Sequence, residues 1–145
     1  MLRDRSLIPL SHDHHHALAL CVRVERAVNG AAESAVQSLA RLVVSHYDAE
    51  MRSHFESEET IVFPALASFE DLRTVIVELL REHRNLEALV ELLRSNPELQ
   101  QLESFTTMLM QHVRKEERVL FEETQRILSR EGLDRIGSEL LAARQ

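Results

Sequence analysis

The chain has 145 residues and a net charge of −7, with three Gly, three Pro, 4% aromatic residues and no Trp. That length suits one domain spanning residues 1–145, and its many Leu, Ala, Glu and Arg residues predict an all-α fold. The acidic balance without a Lys/Arg cluster excludes nucleic acid as an expected partner, and the lone Cys21 excludes an internal disulfide or CxxC motif. No stretch has signal-peptide character or membrane-spanning length, so the expectation is a cytoplasmic protein with no membrane partner.

In chain order, the first helix is predicted from about Ser11 to Val28, ending at the stop signal Asn29-Gly30. Leu10, His14, Ala17, Cys21, Val24 and Val28 alternate steps of four and three, which gives a core-facing stripe. The run His12-Asp13-His14-His15-His16 is interrupted by Asp and continues into this amphipathic helix, so it reads as native rather than as a tag. A second helix starts near Ala32 or Glu33 and extends to about Ala67, with Leu39, Val43, His46, Glu50, His54, Glu58 and Ile61 on one face. Pro64 is expected to kink it or end it early.

The third helix covers about Glu70 to Leu93, with Leu72, Ile76, Leu79, His83, Leu86, Val90 and Leu93 inward. Ser95-Asn96-Pro97 is a turn, and Pro97 suits the first position of a fourth helix running to about Ser129. Phe105, Leu109, His112, Glu116 and Val119 are placed on its inner face. A short helix from Leu133 to Ala143 follows Gly132. The short connections predict an up-down-up-down antiparallel four-helix bundle with a short C-terminal helix.

Two segments repeat one phrase. His54-Phe55-Glu56-Ser57-Glu58-Glu59 leads to Thr60-Ile61-Val62-Phe63, and His112-Val113-Arg114-Lys115-Glu116-Glu117 leads to Arg118-Val119-Leu120-Phe121. Residues i and i+4 share a helix face, so each phrase offers an imidazole nitrogen and a carboxylate oxygen to one point. With His14 and His83 from the other two helices, these groups suit one or two transition-metal ions. Counted from the turns, His54, His83 and His112 fall at similar heights. His14 is offset from His54 by roughly 8 Å or more at 1.5 Å rise per residue. A longer loop reaching into Ala31–Gln37 would absorb that offset. Two buried carboxylates also call for cations nearby, since burying each unpaired costs several kcal/mol.

The sequence resembles the hemerythrin-like (HHE cation-binding) family, from Leu10-Ser11-His12-Asp13-His14-His15 to Glu116-Glu117-Arg118-Val119-Leu120-Phe121. Arg81-Glu82-His83-Arg84-Asn85-Leu86 and the Phe63-Pro64 ending of the first phrase also fit that family. The resemblance implies two iron ions, oxo- or hydroxo-bridged when oxidised. His14, His54, His83 and His112 would be terminal ligands, and Glu58 and Glu116 would be bridges. His15 competes with His14. Where the oxygen-carrying members have a further His on the third helix, this chain has Leu79, so His15, His46 or Glu50 is a candidate replacement. Zinc or manganese would suit the same donors.

The functions implied are binding or sensing of O2, NO or iron. The alternatives are a di-iron enzyme (peroxide or NO reduction, or iron donation for iron–sulfur repair) and a mononuclear or zinc structural site. Among the remaining residues, Glu50 and Glu82 are candidates for orienting ligand imidazoles. His46 is either hydrogen-bonded in the core or placed at the site entry, and Tyr47 is a possible donor if it points inward. Glu59, Glu117, His12 and His16 are expected to face solvent, and Cys21 to be buried.

Overall fold

A computed structural model describes residues 2–29 and 34–145. Among the described residues there are five helices and no strand, packed as a helical bundle. Helix α1 is Ile8–Val28, α3 is Glu70–Ser95 and α5 is Arg130–Ala143. Helix α2, residues 34–66, is continuous but contains two wide π turns, Tyr47–Met51 and Glu58–Val62. Helix α4, residues 99–127, contains a third, Glu116–Leu120. In these turns the N–H groups of Arg52, Phe63 and Phe121 donate to the carbonyls of Tyr47, Glu58 and Glu116, five residues back. Such a turn inserts one residue into the α-helical period.

The insertion accounts for three displacements from the sequence reading. Ile61 and Val119 were expected inward, but Val62 and Leu120 are fully buried, while Val119 is 44% exposed. Glu50 was likewise expected inward, and Met51 takes the core position. An uninterrupted period of 3.6 residues slips by one position at each π turn. In α1 and α3, which have no such turn, Leu10 to Val24 and Leu72 to Leu93 are buried as the stripes predict.

The ends of the helices follow local chemistry. Helix α1 starts before Ser11 because Pro9 fits its first turn. Pro64 does not end α2, which runs to Leu66: it stands directly after the wide turn Glu58–Val62, where the backbone bonds are already out of α-helical step. Helix α4 begins after Pro97, where Glu98 and Gln101 cap it reciprocally. Helix α5 begins at Arg130 rather than at Leu133, because Ser129 Oγ accepts from the Gly132 N–H at 3.1 Å. The stop at Gly30 and the start of the second helix at Ala32 or Glu33 lie outside the described residues.

Helices α1 and α3 each pack against α2 and α4. The apolar side chains form two clusters. One is built from Ala17 to Val24, Val36 to Phe55, Leu86 to Leu93 and Leu102 to Val113. The other joins Leu7, Leu10, Val62, Leu66, Leu79 and Leu120 to Ile136 and Leu140 of α5. Between the clusters lies a buried polar layer of His14, His54, Glu58, His83, His112 and Glu116. Among the described residues no helix is long and apolar enough to cross a membrane.

Candidate metal centre

The polar layer brings six side chains from four helices to one point. His14 Nε2 lies 2.9 Å from Glu116 Oε1, and His83 Nε2 lies 3.1 Å from Glu58 Oε1. The His of each repeated phrase lies 3.4 Å from its own Glu, His54 from Glu58 and His112 from Glu116. Two overlapping donor groups result: His14, His54, Glu58 and Glu116, and Glu58, His83, His112 and Glu116. Within each group the ligand atoms lie within 4.8 Å of one another. Both groups contain both carboxylates, so Glu58 and Glu116 are placed where they could be shared by two ions.

The donors fit cations. His54 Nε2, His112 Nε2, Glu58 Oε2 and Glu116 Oε2 are buried and have no hydrogen-bond partner among the described residues. Leaving such groups unsatisfied costs about 1–3 kcal/mol each, more when charged, and coordination removes the deficit. Imidazole with carboxylate suits borderline or hard divalent ions such as iron, manganese or zinc.

Each imidazole is held from behind by a carboxylate of another helix. His54 Nδ1 donates to Asp13 at 2.8 Å, and His83 Nδ1 to Glu59 at 2.7 Å. His112 Nδ1 donates to Glu82 at 2.8 Å, and His14 Nδ1 to Glu117 at 2.6 Å. The acid of α1 thus serves α2, that of α2 serves α3, that of α3 serves α4, and that of α4 serves α1. Fixing Nδ1–H in this way turns Nε2 inward and raises its basicity as a ligand.

Glu82 holds the orienting role its sequence position suggested; Glu50 does not. Glu59 and Glu117, expected in solvent, are instead half-buried acceptors. Asp13 was not anticipated. The signal for all four was an acid immediately beside a site residue, at Asp13-His14, Glu82-His83, Glu58-Glu59 and Glu116-Glu117.

The charges in the metal-free chain follow from this packing. Burial opposes protonation of His54, but Glu58, Asp13 and Glu116 outweigh it and hold the imidazole well above its ordinary value. Against the same penalty, Glu116 and Glu82 raise His112 to about 10. Burial also opposes ionisation of Glu116, yet His112, Glu58 and His14 hold it well below the usual carboxylate range. Asp13 lies at about 2 despite desolvation, through His54 and Arg144.

Aromatic rings wall the layer unevenly. Phe121 stacks on His14 and Phe63 on His83, at 5.5 and 5.8 Å between centroids, matching the Phe that closes each phrase. Phe55 also stacks on His83 at 3.9 Å. In the second phrase the smaller Val113 holds the place that Phe55 holds in the first, directly after the His. There a cavity of about 10 Å³, room for one water-sized molecule, is bordered by His14, His54, His112 and His46. Neither ring nitrogen of His46 has a hydrogen-bond partner among the described residues, and Glu50 Oε2 stands 3.6 Å from its Nε2. Eight residues separate it from His54, about 80° off in a plain α-helix; the π turn at Tyr47–Met51 reduces this to about 20°.

Other sequence-predicted residues are not at the centre. His15 is exposed, so the α1 donor in the cluster is His14. His14 reaches Glu116 despite the expected offset. The loop expected over Ala31–Gln37 does not extend to Ser34–Gln37, which are helical, and residues 31–33 lie outside the described residues. Tyr47 packs edge-on against Phe55 in the core, with Arg52 5.0 Å from its ring. His16 is exposed and bonded to Glu50, and Cys21 is fully buried.

Four imidazoles around two carboxylates, inside a helical bundle, form a cluster that could hold metal cations. The hemerythrin HHE cation binding domain matches residues 9–124, and the chain belongs to that family. No curated protein and no solved structure matches it.

Proposed function

We propose that the chain is a dimetal protein holding two iron ions, which binds or senses O2, NO or iron itself. His14 and His54 would hold one ion and His83 and His112 the other, with Glu58 and Glu116 bridging. The observation that carries this reading is the overlap of the two donor groups on the same two carboxylates. A carboxylate has two oxygens and can span two cations, which offsets the repulsion between them. Each ion would have two imidazoles, so the missing third-helix His at Leu79 leaves coordination positions open, and neither His15 nor Glu50 fills them.

Bound iron would supply the electrons and open positions that a diatomic ligand needs. The chain's part is to hold four imidazoles in one tautomer, to exclude bulk water with Phe55, Phe63 and Phe121, and to leave room for one small molecule beside His46. An up-down-up-down order and a cytoplasmic setting, where Cys21 stays a thiol, belong to the same reading. A turnover enzyme is the second reading, favoured by His46 at the cavity, whose ring nitrogens have no hydrogen-bond partner among the described residues.

The test is metal analysis with an optical titration by NO, on protein expressed with iron and purified without chelator or His tag. About two irons per chain and an NO-dependent spectrum are expected. One zinc, or no metal after iron reconstitution, would replace this reading with a mononuclear or structural site. Sustained NO or peroxide consumption with added reductant, above the rate of free iron, would favour the enzyme.

A further inference from the structure

Behind each orienting carboxylate stands a cation. Lys115 Nζ lies 2.5 Å from Glu82, and Arg84 pairs with Glu59. Arg144 Nη2 lies 2.5 Å from Asp13 Oδ2, the oxygen that accepts from His54. Arg3 Nη2 lies 3.2 Å from Glu117 and also donates to that residue's backbone carbonyl at 2.9 Å. The four chains of imidazole, carboxylate and cation are alike in chemistry but differ in origin. Arg84 and Lys115 lie within residues 9–124, the span of the family domain, whereas Arg3 and Arg144 lie outside it. The two outside cations back only His14 and His54, the pair that flanks one of the two donor groups.

The flanking parts also hold each other. Arg130 of α5 pairs with Asp4 at 2.6 Å. Gly137 approaches Ser6 so closely that a Cβ there would lie 2.9 Å from Ser6 Oγ and 3.2 Å from Ser6 Cα. Arg3 is mostly buried, and its guanidinium lies 5.4 Å from the ring of Phe121, which itself stacks on His14. One docked unit, residues 2–7 with α5 and the Arg144 that directly follows it, thus delivers both cations to the His14 and His54 side of the centre.

We propose that Arg3 and Arg144 are positioning residues for the ion between His14 and His54. The segments flanking the family domain thereby set the affinity of that position separately from the other. This rests on the dimetal reading above. An Arg on the outer carboxylate holds it in the one orientation that receives Nδ1–H, and outer-shell partners typically change metal affinity by 10- to 100-fold.

The experiment uses ¹¹³Cd²⁺ as the probe on the full chain, with one NMR resonance expected for each of two ions. Arg3→Met and Arg144→Met should shift the same one of the two resonances. Release of that ion to EDTA should accelerate on the order of tenfold. Arg84→Met and Lys115→Met should move the other resonance, and Arg144→Lys should restore the native spectrum in part. Arg3 and Arg144 variants that keep both resonances in place, or move both equally, would overturn the proposal. Failure of the native chain to bind two ions would overturn the dimetal reading and this proposal with it.

Discussion

Glu117 accepts a 2.6 Å hydrogen bond from His14 Nδ1, joining the last acid of the second repeated phrase to the imidazole of α1. Glu59 does the same for His83 from the first phrase. Glu59→Ala and Glu117→Ala should therefore weaken metal binding about 10- to 100-fold while leaving the four imidazoles in place. His15→Ala, at an exposed position, should change nothing. Competition against a chelator of known affinity checks all three variants, and equal affinities throughout would show that the acids merely face solvent.

Loss of an inner group should be more severe. His54→Ala and His112→Ala should strip most of the bound metal. Glu58→Ala and Glu116→Ala should leave at most one ion per chain, because each removes a donor common to both positions. Elemental analysis of the purified variants reads this directly; two ions retained in Glu58→Ala would remove the bridging assignment.

Protonation couples the metal to pH. In the metal-free fold His112 titrates at about 10 against an ordinary value of 6.5. A raised folded value means stability that is fully present below pH 6.5 and lost as pH rises through about 10. Ion binding needs the imidazole free of its inner proton, so affinity should rise over the same range. The melting temperature of the metal-free chain should fall from pH 6.5 towards 10, and the gain on adding metal should widen. A gain independent of pH would contradict the protonated state of His112.

The cavity beside His46 should admit only small ligands. Val113→Phe, which copies Phe55 of the other phrase, should fill it at an overpacking cost of about 1–3 kcal/mol. NO should then bind more weakly at unchanged metal content, measured by optical titration of the iron-loaded protein. Undiminished binding would place the ligand elsewhere.

Cys21 offers a test of the fold alone. Burial first, then the charge of Glu25, pushes its thiol from 9.0 to about 12. At pH 8 it should resist iodoacetamide in the native chain and react once the chain is unfolded in guanidinium.

The repeated phrases and the inward His residues made the inner six groups legible, because four-residue spacing on a helix is a strong geometric statement. The stripes of α1 and α3 were legible for the same reason. Three inward positions of α2 and α4 were each misplaced by one, since π turns leave no mark in hydrophobic spacing except the slip itself. Of the outer acids only Glu82 was anticipated; Asp13, Glu59 and Glu117 were missed because an acid beside a ligand also fits a solvated helix face until the neighbouring helix is in place. Arg3 and Arg144 lay further still from legibility, more than 100 residues from the acid each one meets in one case and in the other.

The π turns at Glu58–Val62 and Glu116–Leu120 fall where the polar layer meets the second apolar cluster. Each is one residue longer than the α-helical turn it replaces, and exposed Thr60 and Arg118 occupy the same place in the two copies. Deleting both residues would restore the α-helical ladder beside the two carboxylates yet leave the apolar positions above and below in phase. The insertions are therefore dispensable to the apolar packing of the bundle, and what they alter is the backbone from which Glu58 and Glu116 project.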